Sequence, residues 1–386
     1  MGRQHSIIGL SRSRDIATKS YIHLPINEED ITMKNIHGRV TIKDDVNKST
    51  AKLTEYMNDM PGTNQTSITT FFLLSFRHLN QLQFLLFLLF LIIYIGTVTG
   101  NILILVLVVT DKCLHTPMYF FLANLSFLET FYSSVVTPRI LFDCLSDDGS
   151  ISFGGCISQL FLYTSLAGAE CFLLAIMAFD RYLAICKPLH YTVIMNFRVC
   201  LQLAVASWVS GILASALSVG TISKLYFCGP NQMDQFVCDM EELMKLSCKK
   251  STWAKMTVFV ACSIVTLVPF VFIVISYGCI LSAILKIASS AGRQKAFSTC
   301  AAHLTVVSLY YGTIIILYVI PKTGQSPEFH KGLSVVYTVV TPMLNPIVYS
   351  LRNKEVKGAF NKLFPTSFKN RKGWGFQWGL EEDSTK

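Results

Sequence analysis

MAFDRYLAICKPLHY, residues 177–191, is the stretch that decides the fold of this chain. Its uncharged apolar start leads into the acid-base-aromatic triplet Asp180-Arg181-Tyr182, and the sequence is apolar again until Lys187. An apolar segment that ends at basic residues is typical of the inner end of a membrane helix. The pattern therefore predicts that Arg181 lies where the membrane meets the cytoplasm.

The composition of the whole chain indicates an integral membrane protein. Of its 386 residues, 52% are hydrophobic and only 15% are charged, which is too apolar a balance for a set of soluble domains. The net charge of +9 arises largely in short loops and in the tail, and this suits a membrane surface better than nucleic acid. We therefore expect membrane lipids, and no nucleic acid, as partners.

The sequence has no metal-ligand cluster or nucleophile-base pair at a plausible depth, so we expect no metal, no cofactor and no enzyme activity.

Seven segments are predicted to span the membrane, which takes roughly 20 predominantly apolar residues each. The second of them begins near Pro117. The other six cover about 82–109, 149–179, 199–223, 253–285, about 297–321 and 332–351. The basic residues of the short loops fall on one side, whereas the loop 142–152 on the other side has three Asp and no Lys or Arg. The positive-inside rule then places the N-terminus outside and the tail in the cytoplasm.

The segment after the seventh span alternates basic and apolar residues at helical spacing over 353–364, which predicts a short helix on the inner leaflet. The expected fold class is therefore an all-α membrane protein, a seven-transmembrane helix bundle with a short amphipathic eighth helix. The expected domains are a disordered extracellular N-terminal extension over 1–60, the seven-transmembrane domain over 61–352, and the amphipathic helix with a cytoplasmic tail over 353–386.

Three polar residues within the spans, Asn101, Glu129 and Glu170, are costly at membrane depth and must find partners inside the bundle. They are either hydrogen-bonded packing residues or a shared polar or cation pocket, and we favour the pocket. A different class of function is a transporter that uses Glu129 and Glu170 as a proton or cation relay. It would need inverted repeats and broken helices, which the seven unequal spans do not show.

A polar loop between the fourth and fifth spans holds Cys228, Cys238 and Cys248, spaced ten residues apart. Cysteines in such a loop indicate an oxidising compartment, and sequence alone allows several pairings. Asn64 begins a glycosylation pattern, as expected of an N-terminal segment outside the cell.

Two motifs, Asp180-Arg181-Tyr182 at the inner end of the third span and Asn345-Pro346-x-x-Tyr349 at that of the seventh, resemble those of rhodopsin-like G-protein-coupled receptors. Five stretches resemble the odorant-receptor branch and occur in the order typical of that family: LHTPMYFFLANLSFLE, MAFDRYLAICKPLHY, Ser276-Tyr277, KAFSTCAAHLTVV and PMLNPIVYSLRNKEV. The last stretch resembles the tetrapod-type class of that branch. The resemblance covers about residues 64–364.

The resemblance implies an odorant receptor that binds small, volatile, mostly apolar molecules in a pocket between helices 3, 5, 6 and 7. It also implies that the receptor activates a heterotrimeric G protein of the stimulatory olfactory type, which raises cyclic AMP. The expected location is the plasma membrane, as a multi-pass protein in the cilia of olfactory neurons. The alternatives are a non-olfactory chemosensory G-protein-coupled receptor and, less favoured, the transporter.

The resemblance further implies a switch at the inner face. Arg181 is expected beside Asp180 at rest, and on activation its guanidinium, which stays charged and offers five donors, is expected to meet Tyr277 and Tyr349. Pro346 interrupts the hydrogen-bond ladder of the seventh helix and supplies a hinge. The expected switch residues are Asp180, Arg181, Tyr182, Tyr277, Asn345, Pro346 and Tyr349.

Two disulfides and a set of ligand-binding residues also follow from the resemblance. Cys156 is expected to pair with Cys238, and Cys228 with Cys248. The residues expected to face the ligand are apolar with a few hydroxyls, and no acid lies among them, so an amine held by a salt bridge is disfavoured. They are Tyr163, Thr164, Ala167, Gly168, Ala261, Cys262, Val265, Tyr311, Ile314, Ile315, Tyr318, Val335 and Thr338.

Overall fold

A computed structural model describes residues 68–76, 81–146, 148–228, 230–248, 251–319, 327–352 and 354–363. The N-terminal extension over 1–60, the glycosylation pattern at Asn64 and the tail beyond residue 363 lie outside the described residues. The domain boundaries given above therefore stay predictions.

Seven long helices form the bundle, and a short eighth helix follows it. They are α1 (Gln83–Thr110), α2 (Pro117–Leu145), α3 (Phe153–Cys186), α4 (Phe197–Ile222), α5 (Thr252–Leu285), α6 (Ser290–Ile314, continued by a π-helical turn, Ile315–Val319), α7 (Pro327–Val335, a π-helical turn Val336–Val340, and Thr341–Arg352) and α8 (Lys354–Leu363). The predicted fold class is confirmed. Among the described residues, six of these helices are long and apolar enough to cross a membrane. The seventh, α2, is long enough but less apolar.

The helix starts follow local capping chemistry. Pro117 occupies the first turn of α2, where its missing N–H costs nothing. The Ser152 hydroxyl accepts a hydrogen bond from the Gly155 N–H at 3.1 Å and so caps α3.

The prediction that α6 begins near Phe297 is wrong: the helix begins at Ser290, two turns earlier. These two turns are polar, so apolarity did not reveal them.

The helix α3 is the centre of the bundle, in contact with α2, α4, α5 and α6. It approaches α4 so closely that a Cβ built on Gly211 would lie 2.4 Å from the Ser165 carbonyl oxygen and 2.5 Å from the Ala169 nitrogen. On the α3 side, a Cβ on Gly168 would lie 3.0 Å from the Gly211 Cα. Small residues at membrane helix interfaces permit such contact between backbones.

A small three-stranded sheet lies at one end of the bundle and is an addition to the all-α prediction. Strand β1 (Thr70–Leu73) pairs antiparallel with β2 (Ser150–Ser152) and parallel with β3 (Gln232–Met233). The same end carries both disulfides, Cys156–Cys238 and Cys228–Cys248. These are the two pairs that the family resemblance implied. We call this the disulfide end, and the opposite end the Arg181 end.

A buried lysine ties the sheet to α7. The Lys331 ammonium group donates to the Ser75 carbonyl oxygen at 2.9 Å and lies 2.5 Å from an Asp234 carboxylate oxygen. The Lys331 side chain is 6% exposed, whereas that of Asp234 is 52% exposed. The tie therefore joins β1, the chain after β3 and the first segment of α7 through one buried cation.

We expect Lys331→Met to lower the stability of the purified receptor by about 1–3 kcal/mol, because the Ser75 carbonyl loses a charged donor inside the protein. The midpoint of thermal unfolding in detergent measures this loss. Lys255→Met is the matched control, since Lys255 is an exposed lysine near the start of α5. Equal midpoints for the two variants would contradict the assignment.

The eighth helix is attached to the bundle by two polar contacts. The Tyr119 hydroxyl donates to a Glu355 carboxylate oxygen at 2.6 Å, and the Lys362 ammonium lies 2.9 Å from an Asp111 carboxylate oxygen. The hydrogen bond from Lys362 lowers the pKa of Asp111 below its ordinary value. Because Val356 is also buried, α8 has the amphipathic character that its sequence predicted.

Candidate functional site

At the Arg181 end, the guanidinium of Arg181 is held beside its neighbour in the sequence. The Arg181 Nε lies 3.9 Å from an Asp180 carboxylate oxygen, and the Asp180 side chain is almost fully buried. The Tyr191 hydroxyl, from the short helix Pro188–Ile194, donates to the other Asp180 oxygen at 2.8 Å. The Arg181 Nε makes no hydrogen bond to Asp180 at this distance, and the resting role of the pair stays a prediction.

The two tyrosines expected to meet Arg181 on activation differ in their surroundings. The Tyr277 hydroxyl lies 2.6 Å from the His303 Nδ1, and their rings stack at 5.7 Å between centroids. Sequence reasoning did not give His303 a role. The buried Tyr349 hydroxyl has no hydrogen-bond partner among the described residues. Tyr182, the third residue of the triplet, packs its ring 6.3 Å from that of Phe179.

The middle of the bundle holds the polar residues that the sequence singled out. The Asn345 amide of α7 donates to a Glu129 carboxylate oxygen of α2. The Asn101 amide of α1 donates to the Pro342 carbonyl at 3.3 Å. Glu170 of α3 is buried close enough to interact electrostatically with Glu129. The hydrogen bonds of Asn101, Glu129 and Asn345 thus link α1, α2 and α7. We call these three residues and Glu170 the polar pocket.

Pro346, the residue expected to act as a hinge in α7, is packed directly against α1. A Cβ built on Gly100 would lie 3.1 Å from the Pro346 Cγ, so the absence of a side chain at Gly100 admits the proline ring. The structure thereby brings Pro346 next to the polar pocket in which Asn345 takes part.

Between the polar pocket and the disulfide end, several tyrosines lie close together in the interior. The Tyr132 ring of α2 lies 6.4 Å from Tyr163 and 6.5 Å from Tyr337, and Tyr337 lies 5.6 Å from Tyr310. The Tyr310 hydroxyl donates to the Ala167 carbonyl at 2.8 Å. We call Tyr132, Tyr163, Tyr310, Tyr311 and Tyr337 the tyrosine cluster. Sequence reasoning found two of its members, Tyr163 and Tyr311.

Three of the expected ligand-binding residues face elsewhere. Thr164 is hydrogen-bonded to the Ser215 hydroxyl of α4 at 2.6 Å, and Gly168 lies against Gly211 of the same helix. Cys262 is exposed on the surface of α5. Thr164 and Gly168 thus lie against α4, and the ligand-binding role expected for Thr164, Gly168 and Cys262 stays a prediction.

The other expected ligand-binding residues have mixed environments. Ala261, Ile314 and Thr338 are buried, and Thr338 donates to the Ser334 carbonyl within its own helix at 2.7 Å. Half-buried positions are Ala167, Val265, Ile315 and Val335. The side chain of Tyr318 lies outside the described part of the chain.

A cavity of about 450 Å³ lies at the disulfide end, outside the tyrosine cluster. It is lined by Ile68, Thr69, Ser152, Phe153, Gly154, Leu225, Tyr226, Phe227, Cys228 and Cys248. None of the expected ligand-binding residues lines it. Across the ranges that the structure describes, no three or more His, Cys, Asp or Glu residues are placed to hold a metal ion.

The backbone resembles that of a known membrane receptor. A crystal structure of squid rhodopsin superimposes with a TM-score of 0.60 at 17% identity, covering 74% of this chain and 81% of that one. Such a likeness shows the fold, which is the seven-helix bundle of G-protein-coupled receptors.

The sequence comparisons give the family. A family model for olfactory receptors matches residues 90–366. Human olfactory receptor 10A7 is 48% identical over 299 residues, which is 78% of this chain and 95% of that receptor. Mouse olfactory receptor 5AP2 is 49% identical over 301 residues, with 78% and 95% covered. The chain belongs to the olfactory receptor family, whose members are multi-pass signalling receptors for odorants, coupled to G proteins, and not enzymes.

Proposed function

We propose that this receptor binds small, volatile, mostly apolar molecules inside the bundle, between α3, α5, α6 and α7. The tyrosine cluster is the observation that carries this proposal. Its rings offer apolar surface from α3, α6 and α7, and its hydroxyls offer a few hydrogen bonds for orientation. Burial of apolar surface supplies most of the affinity for such a ligand. The Ala261 and Val265 side of α5 completes the proposed pocket.

A concentration-response measurement on α5 tests where the ligand binds. We expect Ala261→Leu to weaken the response to an identified odorant about tenfold, because added methyl groups overfill the buried side of α5. Val260→Phe is the matched control, since Val260 is exposed on the same helix turn and the change adds side-chain volume away from the bundle interior. Equal shifts in the half-maximal concentration for both variants would place the ligand elsewhere.

We further propose that the receptor activates a stimulatory, olfactory-type G protein and raises cyclic AMP. Ligand binding shifts an equilibrium between two helix packings, because the ligand has different affinities for them. In the resting packing Arg181 is paired with Asp180. In the active packing α6 moves outward, and Arg181 becomes available to Tyr277, Tyr349 and the G protein.

The pairing of Asp180 with Arg181 predicts the behaviour of one variant. We expect Asp180→Asn to raise basal cyclic AMP about fivefold, because the amide keeps the size of the carboxylate but loses its charge-assisted contacts. The assay compares ligand-free cells at equal surface expression. Asp111→Asn is the control, since Asp111 is paired with Lys362 away from Arg181. A basal level equal to that of the wild type would oppose the resting role of Asp180.

The proposed location is the plasma membrane of olfactory neuron cilia, with the N-terminus and the disulfide end outside the cell. Disulfides persist in an oxidising compartment, which supports this orientation. The exposed basic residues Lys187, Arg198 and Lys286 lie at or next to helix ends on the Arg181 side, which favours the cytoplasmic side. We also propose that Glu129 and Glu170 share a polar or cation pocket, as their burial near one another suggests.

A cyclic AMP reporter screen against a panel of volatile compounds tests the proposed function. We expect at least one uncharged, mostly apolar odorant to raise cyclic AMP in cells that hold the receptor and the olfactory-type G protein. Surface staining of an N-terminal epitope on unpermeabilised cells tests the orientation in the same cells. Staining only after permeabilisation, at normal receptor abundance, would contradict it.

A further inference from the structure

The cavity at the disulfide end is bounded by four segments that are distant in the sequence. Residues 68–69 precede β1, residues 152–154 join β2 to α3, residues 225–228 follow α4, and Cys248 closes the disulfide with Cys228. Its volume of about 450 Å³ falls in the range of small-molecule sites. The cavity is therefore large enough for a molecule of odorant size.

The lining of the cavity defines the chemistry of its ligand. Ile68, Phe153, Leu225 and Phe227 supply apolar surface, and no charged side chain is among the lining residues. Hydroxyl groups come from Thr69, Ser152 and Tyr226. Such a lining suits an uncharged, mostly apolar molecule with one hydrogen-bonding group.

The walls of the cavity are formed before any ligand arrives. The rings of Phe71, Phe153 and Phe227 pack together with centroids 5.6–6.2 Å apart. The pairing of Thr70 with Ser152 and the Cys228–Cys248 disulfide fix the segments that carry the other lining residues. A preformed site binds its ligand without the entropic cost of ordering the chain.

The cavity is separate from the pocket proposed inside the bundle. Phe153 and Tyr163 both belong to α3, and the ten residues between them correspond to roughly 15 Å along the helix axis. The cavity shares no residue with the tyrosine cluster.

We propose that this cavity is a second binding site, which takes a small, uncharged, mostly apolar molecule with one hydrogen-bonding group. A ligand there joins the sheet to the first turn of α3. The proposal goes beyond binding within the bundle and does not depend on it.

Photolabelling of the purified full-length receptor in lipid nanodiscs tests the proposal. The probe is 3-azioctanol, an eight-carbon alcohol with a photoreactive diazirine, and unlabelled 1-octanol is the competitor. We expect adducts on residues 68–69, 152–154 or 225–228 that excess 1-octanol removes. Non-competed adducts on lipid-facing helices report membrane partitioning instead. If the wild-type receptor gives no competed adducts on these segments, the proposal is overturned.

A cavity-filling variant makes the test specific. A Cβ on Gly154 would meet nothing within 4 Å, and Gly154 lines the cavity, so Gly154→Phe directs its ring into the open space. We expect it to reduce the competed adducts about fivefold or more. Gly220→Phe is the matched control, because Gly220 in α4 also has nothing within 4 Å but does not line the cavity.

Unchanged labelling in a folded Gly154→Phe receptor would overturn the proposal. Gel filtration of each variant measures folding, and Gly154→Leu, a smaller filling residue, replaces the phenylalanine variant if that one aggregates. Adducts on the tyrosine cluster and cyclic AMP responses are separate readouts, so failure of the odorant pocket within the bundle is distinguishable from failure of this site.

Discussion

Arg181→Ala is expected to lower odorant-stimulated cyclic AMP at least about tenfold while the receptor still reaches the cell surface. The methyl group cannot replace the five donors and the permanent charge with which the guanidinium is proposed to meet the G protein and the inner tyrosines. Because the Arg181 side chain is only 15% exposed, the responses are compared at equal surface abundance, which separates signalling from folding.

The control for this experiment is another basic residue at the Arg181 end of the bundle. Lys187→Ala removes an exposed charge six residues further along the chain, beyond the end of α3. It is expected to leave the cyclic AMP response within about twofold of the wild type. Equal responses of the Arg181→Ala receptor and the wild type, at equal surface abundance, would remove Arg181 from the switch.

Gly211→Val is expected to destabilise the receptor by about 3 kcal/mol or more and to keep most of it from the cell surface. The added Cβ alone would lie 2.4 Å from the Ser165 carbonyl oxygen, and the obstructing atoms belong to the α3 backbone. A backbone cannot rotate aside as a flexible side chain can, so the two helices would have to separate.

Gly220→Val in the same helix is the matched control, because a Cβ there meets nothing within 4 Å. We expect near-normal surface abundance for this variant. Surface staining in cells and the midpoint of thermal unfolding of the purified receptors compare the two. Normal abundance and stability of Gly211→Val would mean that α3 and α4 do not approach as closely as the structure shows.

Six of the seven long helices were predictable from the sequence because each of the six contains a long apolar run. The start of α6 was not, because residues 290–296 are polar and carry no hydropathy signal. The sheet was missed for a different reason. Its strands have four, three and two residues, which is too short for an alternating pattern to stand out.

The functional site was predictable where charge or a motif marked it. Asn101, Glu129 and Asn345 are costly at membrane depth, and the structure gathers them in one polar pocket. The ligand-facing residues were harder to predict. Counting helical turns from Arg181 identifies one face of α3, but it does not show which helix packs against that face. Thr164 lies on the side that α4 covers, as its hydrogen bond to Ser215 shows.

A signal for that contact was present in the sequence. Ser207, Gly211 and Ser215 recur at four-residue spacing in α4, and all three are small. Small residues at this spacing favour close packing of membrane helices. Reading the pattern would have assigned one side of α3 to α4, and with it Thr164 and Gly168.

The rate of GTPγS binding to a purified olfactory-type stimulatory G protein tests the central claim most directly. The purified receptor is placed in lipid bilayers with the G protein and an odorant identified in the cell screen. Acceleration of nucleotide exchange by the odorant with the wild-type receptor, and its loss with Arg181→Ala, is the predicted result. An exchange rate that the odorant leaves unchanged with the folded wild-type receptor would contradict the account.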